Sequence, residues 1–185
     1  SRMAFHFPCN VFRPGGRVAS ICFQRKIQQS LFFTFGCFLN MQIPENKKIY
    51  FLSDFHLGAP DYARSLVREK KIVSFLDEIK QDAAVLFILG DLFDFWFEYK
   101  KVVPKGFTRI LGKLAELYDS GITLYFFTGN HDMWMSGYFE KELGIRVFEE
   151  PQEFEFNGLK FLIGHGDGLG PGDHRYKFLK KVFRN

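Results

Sequence analysis

The chain has 185 residues, of which 46% are hydrophobic and 25% charged. That balance suits one domain with a real core and excludes a disordered chain, and no apolar run approaches the roughly 18–20 residues needed to cross a bilayer. The formal charge of +4 arises before Glu45, where Arg2, Arg13, Arg17, Arg25 and Lys26 meet no acid; the rest holds 20 basic against 21 acidic residues, which excludes a basic nucleic-acid surface on the globular part.

Residues 1–40 differ from the remainder of the chain. They are acid-free, Phe-rich and without a clean helical or strand period, and they hold Cys9, Cys22 and Cys37, all the cysteines of the chain. The rest therefore has neither a disulfide framework nor a thiolate metal site. Arg25-Lys26 followed by the apolar stretch Leu31–Leu39 is similar to a signal peptide, but no small-residue cleavage site follows. The reading adopted takes Met41 as the native start, residues 1–40 as a non-native or disordered leader, and residues 41–185 as the globular domain.

From Met41 the pattern is regular. A strand is predicted at about Lys48–Leu52. Leu66, Ile72, Val73, Leu76 and Ile79 mark an amphipathic helix over about Asp61–Lys80. A strand follows at Ala84–Leu89. Phe107, Ile110, Leu111, Leu114, Leu117 and Tyr118 line a second helix, which Asp119-Ser120-Gly121 stops. Next come a strand at Thr123–Phe127, a short helix at Gly137–Leu143 and a strand at Ile145–Phe148. Glu153–Phe156 and Leu159–Ile163 flank Asn157-Gly158, a strong hairpin signal. A further helix begins near Asp173. Strands alternating with helices predict an α/β fold with a mainly parallel sheet. The 25 Phe call for a large core or a lipid-contacting surface, and composition does not choose between them.

Four of these apolar runs end in metal-binding residue types: Asp54-Phe55-His56, Gly90-Asp91-Leu92-Phe93-Asp94, Gly129-Asn130-His131-Asp132 and Gly164-His165-Gly166-Asp167. In open α/β sheets, sites form at the carboxyl ends of strands. Asp-x-His on an extended segment puts a carboxylate and an imidazole on one side. Asp91 sits at a glycine turn, and its two oxygens can bridge two ions. Asn130 offers a carbonyl oxygen and His165 a neutral nitrogen. This mixed N and O set suits Mn²⁺, Fe²⁺ or Zn²⁺. Two ions about 3.5–4 Å apart clamp a phosphoryl group and activate water. His131 is placed to contact a phosphoryl oxygen or protonate a leaving group, with Asp132 to orient it. Each motif alone is weak, since Asp-x-His is usually a polar turn and Gly-Asp says little. All four in order are not expected by chance. Asp94 and Asp167 read as supporting or capping residues, His6 and His174 as surface histidines, and Phe93, Phe95, Trp96, Phe97 and Tyr99 as core more than substrate contact.

Together these motifs resemble the calcineurin-like metallophosphoesterase family over about Lys47–Asn185. The resemblance implies an αββα sandwich, incomplete at the C-terminus. It implies that Asp54, His56 and Asp91 hold one Mn²⁺ and Asp91, Asn130 and His165 the other. Asn130 and His131 would contact phosphate and Asp173 the substrate. Within the family, the stretches around Asp54, Asp91 and His165–Tyr176 look like a branch that cleaves the diphosphate of a lipid-linked nucleotide sugar in lipid A synthesis. Such an enzyme would be cytoplasmic, touching the inner membrane peripherally. Lys177, Lys180 and Lys181 with Phe178 and Phe183 favour a lipid, though a solvated helix face explains them nearly as well. Two departures qualify this. Many members of that branch carry Arg where this chain has His131, the residue used in the wider family. The family also completes its metal site with a Gly-His-x-His motif, which these 185 residues lack. The chain alone is therefore expected to bind metal weakly and turn over little. A metallophosphoesterase acting on another phosphodiester or phosphomonoester, and an inactive remnant, are the alternatives.

Overall fold

A computed structural model of the chain describes residues 39–166, which carry seven strands and three helices. Strands β2 (Lys48–Leu52), β3 (Ala83–Leu89), β4 (Thr123–Phe127) and β5 (Arg146–Phe148) form a parallel sheet in that order. Helices α1 (Tyr62–Ile79), α2 (Thr108–Asp119) and α3 (Tyr138–Leu143) are the crossovers between successive strands. A second sheet runs β1 (Leu39–Met41), β6 (Gln152–Phe156), β7 (Leu159–Ile163).

Strand β3 explains the layering. It is apolar at every position because both of its faces are covered. Leu86 and Ile88 join Leu52, Leu124 and Phe126 beneath Ile72, Leu76, Ile110 and Leu114 of the helices. Val85 and Phe87 join Tyr125, Phe127 and Phe148 against Phe154, Phe156 and Ile163 of the second sheet. Three layers of the anticipated αββα sandwich thus lie within the described residues. The second interface is largely aromatic. Phe87 has ring centroids of Phe51, Tyr125 and Phe154 at 5.1, 5.2 and 5.0 Å. Among the described residues most phenylalanines serve these two cores, so the core reading of the Phe excess holds there, and Phe93 and Trp96 are buried as expected; Phe95, Phe97 and Tyr99, also read as core, are exposed instead. No helix among them is long and apolar enough to cross a membrane.

Element positions follow the sequence pattern closely. Asp61 caps α1, accepting the Arg64 N–H at 2.9 Å. Asn157 (φ 48°) and Gly158 (φ 80°) make the tight β6–β7 turn. Strand β1 was not anticipated. It begins two residues before Met41 and pairs in parallel with β6, Leu39 against Phe154 and Met41 against Phe156. Three residues are too few to show alternation, and the strand is fixed from a distance. Asn157 accepts the Ile43 N–H at 2.8 Å and donates to the Ile43 carbonyl at 3.1 Å. The helix anticipated from Asp173, and with it Asp167, Asp173, His174 and His6, lie outside the described residues.

The buried stripe of α1 is not wholly apolar. It runs Ser65, Glu69, Ile72, Leu76, Ile79. Glu69 is 4% exposed, and its carboxylate accepts the N–H groups of Arg109 and Ile110, each at 3.1 Å. Helix α2 starts at a left-handed Phe107 that offers no side-chain cap. Glu69 supplies that cap from the neighbouring helix and places a negative charge at the positive end of the α2 dipole. Replacing Glu69 by Ala leaves two buried amides unpaired and is expected to cost about 1–3 kcal/mol, with Glu69→Gln costing less. Urea denaturation of the three proteins measures this, and equal midpoints would refute the capping role.

Candidate metal centre

The parallel ladder does not stop where β2 and β3 end. Asp54 N–H donates to Gly90 O at 3.2 Å, and His56 N–H to Asp91 O at 2.9 Å. Leu57 N–H reaches Leu92 O, and Asp94 N–H returns to Leu57 O, both at 2.9 Å. The two ligand-bearing loops are therefore laced to one another. Helix α1 holds them from outside. The Arg68 guanidinium donates to the carbonyls of Phe55 (2.6 Å), His56 (3.1 Å) and Ala59 (2.7 Å), and Ser65 Oγ accepts the Gly58 N–H at 2.7 Å.

This lacing forces an uncommon backbone. Asp54 (φ 59°), His56 (φ 45°) and Asp91 (φ 53°) are all left-handed. Such a conformation costs a side-chain-bearing residue of order 1–3 kcal/mol and persists only where the surroundings dictate it. The extended geometry expected for Asp54-x-His56 is thus not what the chain adopts. Left-handed turns, imposed by pairing with the next loop, bring both side chains toward Asp91.

Asp91 is 3% exposed and central. Its Oδ1 accepts the His131 backbone N–H at 3.0 Å. Its Oδ2 lies 3.8 Å from His56 Nε2 and 3.5 Å from His165 Nε2. The Nδ1 of His165 donates to Leu89 O at 2.6 Å, which fixes the tautomer and leaves Nε2 with a lone pair toward the centre. Ligand atoms of Asp54, Asp91 and His165 lie within 4.8 Å of one another, and so do those of His56, Asp91 and His131. Two groups of mixed O and N donors sharing one buried carboxylate fit a pair of divalent cations. Asp54 falls with His165, and His56 with His131, around the shared Asp91. Asn130 is half-buried at the end of β4, between Gly129 and His131.

Glycine is needed where the loops cross. A Cβ on Gly129 would overlap Asp91 Oδ1 and sit 2.7 Å from the Asp91 nitrogen. A Cβ on Gly90 would lie 2.6 Å from His165 Nδ1 and 2.7 Å from the Gly129 nitrogen. Glycine lets these backbones approach that closely.

Asp132 does not orient His131. Its carboxylate is fully buried and accepts backbone N–H groups from both loops, Gly129 (2.8 Å), Asp91 (3.2 Å) and Leu92 (2.9 Å). It ties the β3 loop to the β4 loop. The His131 ring is held instead by Asp94, with Nδ1 at 2.9 Å from the Asp94 carbonyl and 3.5 Å from its Oδ1. His56 Nδ1 lies 3.6 Å from the same Oδ1, and the two imidazoles meet edge to face at 4.7 Å. The sequence reading assigns Asp132 the task of orienting His131 and Asp94 a supporting or capping one; in the structure Asp94 is the residue on the ring.

Burial pushes the Asp132 carboxyl up to about 6, with the Asp91 carboxylate adding to the rise and the Gly129 amide opposing it. An acid whose pKa is raised on folding is bound more tightly to its proton in the native state. The metal-free fold should therefore lose about 2–3 kcal/mol as pH climbs from about 4 through 6, and Asp132→Asn should lack that slope. Urea midpoints across that range, for both proteins, decide it. A second expectation concerns Gly129. Gly129→Ala should displace Asp91 and weaken Mn²⁺ or Zn²⁺ binding at least about tenfold, read by calorimetric titration. Unchanged affinity would mean that Asp91 does not bind the cation.

The calcineurin-like phosphoesterase family model matches residues 47–183. A UDP-2,3-diacylglucosamine hydrolase of Porphyromonas gingivalis is 44% identical over 139 residues, covering 75% of this chain and 53% of its own. The corresponding hydrolases of Actinobacillus succinogenes and Pseudomonas aeruginosa are each 33% identical, covering 74% of this chain and 57% and 55% of theirs. The chain thus spans about half the length of the curated relatives it matches. A crystal structure of Pseudomonas putida nuclease MPE aligns with 56% of this chain and 48% of its own at 22% identity and a TM-score of 0.39, too loose a fit to bear on function. With the family model matched across all four strand-end motifs, and those motifs gathered around Asp91, the chain belongs to the calcineurin-like phosphoesterase family.

Proposed function

We propose that this chain carries the metal centre of a hydrolase that splits the diphosphate of UDP-2,3-diacylglucosamine, giving UMP and 2,3-diacylglucosamine 1-phosphate in lipid A synthesis. The observation that carries the reading is the pair of donor groups sharing Asp91, in a chain whose matched relatives bear that hydrolase name. The cations would be two Mn²⁺, with Fe²⁺ or Zn²⁺ as substitutes that the same donors accept. Asp54, His56, Asp91, Asn130 and His165 would hold them. Bound there, divalent ions polarise phosphoryl oxygens and acidify water.

The side chains of the protein set the geometry. Asp91 is pinned at Oδ1, so Oδ2 stays directed between His56 and His165. His131 has Nδ1–H engaged by Asp94, so that Nε2, when the ring carries a second proton, would be free to donate to a phosphoryl oxygen or the departing group. Asn130 would add its side-chain amide to the phosphate, and Asp173 would contact the substrate. The protein would act on the cytoplasmic face of the inner membrane, touching it peripherally, because its substrate is a lipid. One observation favours a second reading, a phosphoesterase with another phosphodiester or phosphomonoester substrate. His131 is the residue of the wider family at that position, rather than the Arg of many diacylglucosamine hydrolases.

UMP release from the acylated nucleotide sugar, set against hydrolysis of p-nitrophenyl phosphate, separates the two. The assay uses both the chain itself and the protein extended to the length of its relatives. Chelation should abolish UMP release and Mn²⁺ restore it. Asp91→Ala should lower it at least about a thousandfold while the circular dichroism spectrum is unchanged. Activity surviving that substitution would remove Asp91 from its bridging role, and faster hydrolysis of the aryl phosphate would favour the second reading.

A further inference from the structure

The segment after Asp91 and the segment after Asn130 run side by side away from the centre, joined at three levels. Innermost, the Asp94 carbonyl accepts from His131 Nδ1 at 2.9 Å. Next, Phe97 and Trp134 form a parallel bridge, with Glu98 N–H donating to Trp134 O at 3.2 Å. Outermost is the Glu98 carboxylate. It accepts Trp96 Nε1–H at 3.1 Å on one oxygen, and on the other Ser136 Oγ–H and the Tyr138 backbone N–H, both at 3.0 Å. Trp96 is fully buried against Phe93, Tyr138 and Phe139, so the acid is tied to the core at one end and to the start of α3 at the other.

We propose that Glu98 is a positioning residue for His131. It closes the outer end of a two-segment clamp whose inner end holds the His131 ring. The Glu98 carboxylate joins Ser136 and Tyr138 to the buried Trp96 through three polar bonds in a single side chain. Charge-assisted hydrogen bonds of this kind are roughly twice as strong as neutral ones. Without them the 133–138 segment loses its charge-assisted tie to the 94–98 segment, and the register at His131 loosens. Only the kinetic consequence rests on the proposed hydrolase reading, while the structural one stands by itself.

The chain has two tryptophans, Trp96 and Trp134, and both belong to this clamp, so their indole N–H resonances report on it. The test is a pair of proton–nitrogen correlation spectra of the metal-free 185-residue chain, one for indole groups and one for imidazoles. In the wild type His131 should show the pattern of a fixed Nδ1-protonated tautomer. Glu98→Ala should shift the Trp96 indole resonance and convert His131 to a tautomer-averaged pattern, with Glu98→Gln restoring it in part. In the extended protein Glu98→Ala should lower kcat about tenfold or more with KM changed less than about twofold. A His131 pattern unchanged in Glu98→Ala, while the Trp96 resonance has moved, would overturn the proposal. Should Glu98→Ala not fold, Ser136→Ala removes one bond to the same carboxylate. It should move His131 in the same direction by a smaller amount, and no movement there would overturn the proposal as well. Wild-type protein without UMP release would refute the hydrolase reading and leave the spectra to decide the role of Glu98.

Discussion

Asp91 is a carboxylate buried at the end of a central strand, and its surroundings organise the rest of the molecule. A charge in such a place is costly unless its oxygens are satisfied. One oxygen takes the His131 backbone amide, and the other faces imidazoles from two different sheets. That arrangement needs the β2, β3 and β4 loops and the end of β7 to converge within a few ångströms. Gly90 and Gly129 permit it, because no side chain would fit where those backbones cross. The left-handed conformations at Asp54, His56 and Asp91 are what the convergence demands of the chain.

The placement of His165 links this centre to the aromatic layer. His165 follows β7 in the second sheet, whereas Asp91 follows β3 in the first. Their separation is therefore set by how the sheets pack, through Phe87, Tyr125 and Phe127 on one side and Phe154, Phe156 and Ile163 on the other. Interiors packed at crystal-like density transmit changes of a methylene or more. The Phe content of the chain is in this sense part of the site, since it fixes the distance across which a cation pair would be held.

Buried or half-buried polar side chains provide a second level of support. Arg68 and Ser65 hold the first loop from α1, Glu69 caps α2, Asp132 ties the second loop to the third, and Glu98 joins the two outer segments. Each satisfies backbone groups left open where a strand or helix ends. The loops hold the ligands, and these residues hold the loops.

The sequence by itself determined the alternation of strands and helices, the parallel sheet, the hairpin at Asn157-Gly158 and the strand ends that carry Asp54, His56, Asp91, Asn130 and His165. Apolar periodicity and turn chemistry are local, and each of those features is local. Strand β1 was invisible because three residues carry no period and its partner lies more than a hundred positions away. Apolar periodicity does not mark the polar members of the buried α1 stripe, Ser65 and Glu69, whose partners lie outside the helix, at Gly58 in the preceding loop and at Arg109 and Ile110 in α2. The sequence named Asp94 and Asp132 as acids beside the site, but only the tertiary structure decided that Asp94 holds His131 and that Asp132 turns away to bind amides. The direction a side chain takes depends on which unpaired donors surround it, and those donors come from parts of the chain that folding alone brings together.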